Sequence, residues 1–565
     1  MRQVASALLV SLLLSGFANG AEPADLILKN GRVLTLDSAK PEGQAIAMHG
    51  GRIVAIGSNA EMAKYAAART IDLEGALAVP GLIEGHGHFM GLGESKMNLN
   101  LRNVRSWDEI VSMVRAAAKE AKPGEWIRGG GWHQSKWDHV PEPNVQGFPL
   151  ATELTKAAPN NPVWLSHASG HASIVNGAAM KLGGINASTK NPAGGEVLKD
   201  SSGNPTGLLN ETAQGLMRKA FSDYESKQTR EQRIEHARKQ VKLAAEESLS
   251  KGITTFEDAG SSFDVVDLLK TMAGEGQLPL RLWVMLRASS AELNARAAKY
   301  RMIGYGDEHL TVRGIKRAID GALGSRGAWM LEPYADLPSS AGLNTDDLGD
   351  LRKVAEYAIN NGFQFCIHAI GDRGNRETLN IFEESFKAHP DKKDLRWRVE
   401  HAQHINAADI PRFGKLGVIA AMQGIHCTSD APYVLARLGP KRAEEGAYVW
   451  RKLMDSGAVV GNGTDTPVED VDPIASFYAT VSRKLKDGSV FYGSQRLTRE
   501  EALRTYTINN AFAAFEDKQK GTLTVGKLAD VTVISKDILK IPEDQIPSAK
   551  VVYTIVGGKV AYSAK

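Results

Sequence analysis

Cysteine is nearly missing from this chain: Cys366 and Cys427 are the only two in 565 residues. So few thiols exclude a disulfide scaffold, and two buried free thiols are the plain reading. Whether the two meet is left open. Long apolar runs are missing as well, and the run over residues 4–14 is too short to cross a bilayer as a helix. No block of one charge sign stands out either. With 68 basic against 65 acidic residues and a net charge of +3, nothing points to nucleic acid or to a membrane patch. Charged residues at 24% and hydrophobic ones at 42% give an ordinary globular balance. The length exceeds what one core fills, so two or more units are expected, with no signature of oligomeric state.

What is there begins at the amino terminus. Met1-Arg2, the short apolar run and Ala18-Asn19-Gly20 ahead of Ala21 describe a cleavable secretory signal over 1–20. A mature chain starting near Ala21 and exported to the periplasm or the medium is expected, with no stable membrane span. Apolar alternation around Asn30-Gly31, Gly50-Gly51 and Gly557-Gly558 predicts β-hairpins at both ends of the chain. Residues 21–80 plus 520–565 thus suggest one small sheet domain assembled from both termini.

The middle reads differently. Short apolar strands over 76–83, 252–258, 280–286, 312–320, 363–368, 397–401, 417–423 and 458–465 alternate with helix-length segments. Such βα units predict an α/β fold, a TIM (β/α)8 barrel over 81–519, with its active site at the C-terminal strand ends. The stretch from about 90 to 235 is too long for one connection. Its Trp/Gly/Pro-rich character suggests an inserted subdomain over the barrel mouth, where substrate-selecting residues belong.

Ligand-type side chains recur at those strand ends. His86 and His88 close the first strand, and residues i and i+2 share a face, so both imidazoles can turn to one metal ion. Lys316 follows on the fourth strand, His368 on the fifth, His401 on the sixth and Asp465 on the eighth. Each alone has a structural reading: His368 packed on a carbonyl, His401 paired with Glu400 or Asp372, Asp465 capping a turn. Together, at matching ends, they read as N and O ligands for zinc or a similar divalent ion. Lys316 shares its face with Asp320. It is either ion-paired there or a neutral amine that has taken up carbon dioxide, the carbamate bridging two metals.

Several longer motifs accompany these residues: Gly81-Leu-Ile-Glu-Gly-His-Gly-His88, Gly129-Gly-Gly-Trp132, Ser169-Gly-His171, Asn191-Pro-Ala-Gly-Gly-Glu196, Lys316-Arg-Ala-Ile-Asp-Gly-Ala-Leu-Gly-Ser-Arg326, His368-Ala-Ile-Gly-Asp-Arg373, Glu400-His-Ala-Gln403, Gly463-Thr-Asp-Thr-Pro467 and Gly526-Lys-Leu-Ala-Asp530. With them the chain resembles the amidohydrolase superfamily over most of its length, in the amidohydrolase-3 branch that includes N-substituted formamide deformylases. The resemblance implies a TIM barrel joined to a composite β-sandwich, and metal ligation by His86, His88, His368 and His401. It implies Lys316 as a carboxylated ligand, Asp465 as ligand or acid–base, and one or two divalent ions, zinc first. Glu84-Gly85 departs from the aspartate and small residue more usual before the two histidines.

The activity expected is hydrolysis of a non-ring amide-type C–N bond in a small molecule by metal-activated water, with Asp465 as general base and then acid. The same site would serve cyclic amides, deamination, or esters and lactones. A non-catalytic binding protein on a retired barrel is the reading of another class. Trp132, His171 and Arg326 are candidate substrate contacts: an indole for an apolar wall, an imidazole or guanidinium for a carbonyl or carboxylate. Core packing is the alternative for these three.

Overall fold

The computed structural model describes residues 22–134, 137–167, 172–192, 195–324 and 326–564. The expected signal over 1–20 and the candidate His171 lie outside them. Eight parallel strands form the barrel: β1 (Leu82–Gly87), β2 (Ile253–Ser261), β3 (Arg281–Leu286), β4 (Leu310–Ala318), β5 (Gln364–Ala369), β6 (Arg398–His401), β7 (Ile419–Gln423) and β8 (Val460–Gly463). The fold is an α/β TIM barrel, nearly closed. Each strand lies beside its sequence neighbour in the barrel, the pattern that right-handed βα crossovers produce.

Closure between β8 and β1 relies on side chains as well as backbone. The Asp465 N–H donates to the His86 carbonyl at 2.8 Å. Asn510 donates to the carbonyls of Ile83 and Asn462, both at 2.8 Å. The seam is tight enough to require glycine. A Cβ on Gly85 would sit 2.5 Å from Asn510 Nδ2, and one on Gly463 would sit 2.5 Å from His86 N.

The apolar run 76–83 is not one strand. Leu77–Pro80 pairs with Val531–Ile534 and Arg32–Leu34 in a terminal sheet, and the barrel begins only at Leu82. Gly81 makes the break, donating its N–H to the Asp530 carbonyl at 2.9 Å where any side chain would collide with Thr254.

Outer helices follow from capping and periodicity. In Phe263–Gly274, Phe263, Val266, Leu269 and Met272 recur every third residue and are buried, and the Ser262 side chain caps the Val265 N–H. Such a cap is worth about 1 kcal/mol, and the stripe seats the helix on the barrel. Inside the barrel, Ala259, Trp283, Met285, Cys366 and Ala514 form a small apolar floor. Cys427 lies in helix His426–Gly446, and both thiols are buried and free.

Strands from both chain ends share one six-stranded sheet, in the order Lys559–Ser563, Val551–Val556, Val531–Ile534, Leu77–Pro80, Arg32–Leu34, Glu42–Gly43. A four-stranded sheet, Arg52–Gly57, Ala45–His49, Glu22–Lys29, Tyr65–Asp72, packs on it through Leu26, Leu28, Ile46, Val531, Val533 and Ile555. The Gly50-Gly51 and Gly557-Gly558 turns close hairpins. Asn30-Gly31 does not: Glu22–Lys29 and Arg32–Leu34 enter different sheets. The turn forms, with Asn30 at φ 58°, but the Arg32 N–H goes to the Ala76 carbonyl and carries the chain across.

Between β1 and β2 the chain builds a further six-stranded sheet, whose core includes Trp107, Ile110, Trp132, Leu165 and Ile174. Among the described residues no helix is long and apolar enough to cross a membrane.

Candidate metal centre

The centre sits at the C-terminal end of the barrel. His86 ends β1 fully buried, and His88, one residue past the strand, stays extended at φ −112° and is half-buried. Asp465, just beyond β8, is left-handed at φ 57° and nearly buried. Its Oδ1 lies 3.3 Å from His88 Nε2 and 3.6 Å from His86 Nε2. Ligand atoms of His86, His88 and Asp465 all fall within 4.8 Å of one another, and so do those of His401, His426 and Asp465.

On β6, Arg398 and Glu400 point into the barrel by strand alternation. His401 would then face out, but its φ of 77°, followed by 45° at Ala402, breaks the alternation and turns the ring inward. Such a conformation costs about 1–3 kcal/mol and persists only where the surroundings enforce it. The His401 ring centre lies 4.6 Å from that of His86 and 4.4 Å from that of His368.

The inward ring nitrogens are bare. His86 Nε2, His368 Nε2 and His426 Nε2 are buried with no hydrogen-bond partner among the described residues. Several unpaired polar atoms at one spot would each cost a lost hydrogen bond, and a cation removes that cost for those that turn a lone pair inward. Burial keeps the imidazoles neutral, His86 down to about 4 and His368 down to about 3, with His401 also well below its usual value. Burial also acts to raise Asp465, but the His88 ring against its Oδ1 outweighs it and holds the carboxylate ionised. Neutral imidazoles and an anionic oxygen are the forms that bind a divalent metal, so the residues present fit one.

Behind them lies a buried charge relay. Glu400 accepts from His86 Nδ1 and contacts Arg398 Nε at 2.7 Å. Arg398 also pairs with Glu257 and donates to the Gly85 carbonyl at 2.7 Å. One guanidinium serves two carboxylates. Burial alone would raise Glu400, but Arg398 and His86 keep it anionic, whereas burial pushes Glu257 up to about 8. An acceptor on Nδ1 fixes the His86 tautomer with its Nε2 lone pair facing the centre. Glu84, also buried and pushed up to about 8 by burial, accepts from the Thr464 N–H and braces β8 against β1.

Lys316 is buried on β4 and makes no hydrogen bond or ion pair with a described residue. Burial lowers its pKa, and its charge is close enough to depress His86 and His368. Asp320 is not its partner. That carboxylate accepts the backbone N–H groups of Ile370, Gly371 and Trp329 at 3.0, 2.7 and 2.9 Å. Neither Glu400 nor Asp372 holds His401, whose Nδ1 meets Gln423 Oε1 at 2.7 Å.

The two other described candidates have partners of their own. Trp132 is fully buried in the core of the inserted sheet, its indole N–H on the Leu165 carbonyl at 3.0 Å. Arg326 is ion-paired with Asp336 at 2.9 Å. His426 belongs to the centre yet escapes the sequence reading. It follows β7 by three residues, past Gly424, and a search for histidines beyond every strand end would have found it.

The model of the Amidohydrolase family matches residues 69–562. LONG AFTER FAR-RED 3 of Arabidopsis thaliana is 34% identical over 95% of this chain and 92% of its own length. An N-substituted formamide deformylase of Arthrobacter pascens is 27% identical over 95% of this chain and 98% of its own. Among solved structures, an uncharacterized metal-dependent hydrolase from Pyrococcus furiosus is 26% identical with a TM-score of 0.72, covering 91% of this chain and 100% of that one. With a match of that extent spanning the barrel and its histidine–aspartate centre, this chain belongs to the amidohydrolase family.

Proposed function

We propose that this hydrolase cleaves a non-ring amide C–N bond of a small molecule, with Asp465 carrying the proton. The observation that carries the reading is the convergence of bare ring nitrogens and one carboxylate oxygen at the barrel mouth. A divalent ion held there by His86, His88, His368, His401 and Asp465, zinc first, would acidify a water and polarise the scissile carbonyl. Asp465 takes the proton of that water and hands it to the leaving nitrogen, base and then acid. Glu400 holds His86 in one tautomer throughout. Lys316, buried and without a hydrogen-bond or ion-pair partner among the described residues, is the reason to look for a second ion: as a neutral amine it would add carbon dioxide with release of a proton, and the resulting carbamate would offer anionic oxygens to a metal. The formamide-acting relative makes N-substituted formamides the first substrates to try. The secretory-type pattern over 1–20 supports export of the mature enzyme.

Elemental analysis of protein purified without chelator, with Lys316→Ala beside it, tests the centre. About two equivalents of zinc, falling in the variant, are expected. One equivalent in both returns Lys316 to a structural role, and no metal even after reconstitution ends the hydrolytic reading. A panel of formamides and acyclic amides then tests the bond. Turnover of esters or lactones alone would overturn the amide assignment.

A further inference from the structure

Histidines at this centre differ in what grips their far ring nitrogen. His86 Nδ1 faces the Glu400 carboxylate, which can only accept. His401 Nδ1 faces Gln423 Oε1, and that amide is oriented independently because its Nε2 donates to the Ala421 carbonyl at 3.1 Å. Both rings therefore carry their proton on Nδ1 and turn a lone pair inward from Nε2. That is the tautomer of a metal ligand.

His426 is held the opposite way. Its Nδ1 faces the amide nitrogen of Gln403, a donor, at 2.9 Å. A neutral ring whose Nδ1 accepts carries its proton on Nε2. The His426 Nε2 is buried with no hydrogen-bond partner among the described residues, and the ring belongs to the same 4.8 Å cluster as His401 and Asp465. It thus presents an N–H where its neighbours present lone pairs. The ring also stands in a different place from theirs. It opens helix His426–Gly446 instead of ending a barrel strand, and it lies parallel to His401 with ring centres 6.4 Å apart.

We propose that His426 is not a metal ligand but a catalytic hydrogen-bond donor, its Nε2–H aimed at the acyl oxygen of the substrate. Gln403 is the positioning residue that sets its tautomer. This rests on the hydrolytic reading above and deepens it. As water adds to the carbonyl, the C=O π pair moves onto oxygen, and a preset donor in a buried site stabilises the growing charge there. Asp465 and His426 thereby divide the work, one moving the proton and the other holding the oxygen.

The test compares His426→Leu and His426→Gln with His401→Leu, all as folded, metal-loaded protein checked by melting. Metal content and the visible spectrum of the cobalt-substituted protein are read without any substrate. Both His426 variants should match the wild type in these, while His401→Leu loses metal or changes the spectrum. A changed spectrum or lost metal in His426→Leu makes His426 a ligand and overturns the proposal. On whichever acyl substrate the wild type hydrolyses, amide, ester or lactone, kcat of His426→Leu should fall ~10²–10³-fold. His426→Gln, whose amide N–H reaches close to the same point, should recover most of that. Unchanged kcat in His426→Leu, or no rescue by Gln, overturns the donor role. A wild type active on esters but not amides sinks only the amide assignment, and one inactive on all three sinks both.

Discussion

The two ends of this barrel solve the burial of charge in opposite ways. At the start of β3, Arg281 meets Asp530 in a bidentate pair, Nε to Oδ2 at 2.8 Å and Nη2 to Oδ1 at 2.9 Å. The Gly557 N–H completes the carboxylate at 2.8 Å, and the Glu308 carbonyl accepts from Nη1 at 3.1 Å. That pair ties the barrel to the sheet built from both termini. At the mouth, equally buried polar atoms are left bare, and the backbone at His401 and Asp465 adopts costly left-handed angles. A saturated network stabilises a fold, whereas an unsaturated one reserves its free energy for a ligand.

Substitutions at each end should separate these roles. Asp465→Asn is expected to lower kcat ~10²–10⁴-fold while the melting curve and most of the metal are retained. Steady-state kinetics beside elemental analysis would check this, and retained activity would remove Asp465 from the chemistry. Arg281→Met should do the reverse. Stranding Asp530 in a buried site costs about 3–5 kcal/mol, visible in denaturant melts, with turnover per folded molecule unchanged. Glu400→Gln sharpens the contrast from within the mouth. Loss of the charged acceptor on His86 should weaken metal affinity ~10–100-fold, read by competition with a chelator, while the fold survives.

The smallest effect belongs to the rim. Glu94, in the helix after β1, accepts from His236 Nε2 at 3.0 Å and pairs with Arg128 of the inserted sheet at 2.8 Å. The hydrogen bond to Glu94 raises the His236 pKa above 6.5. Its stabilisation is therefore full below pH 6.5 and is lost as pH rises through the raised folded value. The pair is half-exposed and screened, so the step should stay below about 1 kcal/mol. His236→Gln should flatten that step in stability measured between pH 6 and 8.

Much of the centre was legible because strand alternation and strand ends are sequence-local. His86, His88, Lys316, His368, His401 and Asp465 could be placed by counting, and the recurring βα pattern gave the barrel. What escaped depends on tertiary context. His401 was placed at its strand end, but the positive φ that turns its ring inward is announced by no pattern, and His426 lies past Gly424 at a helix start, outside the strand-end register. Glu257 and Arg398 are charges in apolar strands, and nothing local says that they meet. The Asn30-Gly31 turn was visible but not its destination, because partner choice belongs to the two sheets. Trp132 follows three glycines, which reads alike for a pocket wall and for a core.

The two thiols, far apart in sequence and both sealed from solvent, have a practical consequence. Cys366 lies on the barrel floor and Cys427 in the helix that carries His426. Each can react with a thiol reagent only when its own shelter opens, so alkylation followed by peptide mapping becomes a built-in clock for local unfolding. Cys427 modified before Cys366 would report a mouth that breathes independently of the floor; equal rates would report one cooperative unit.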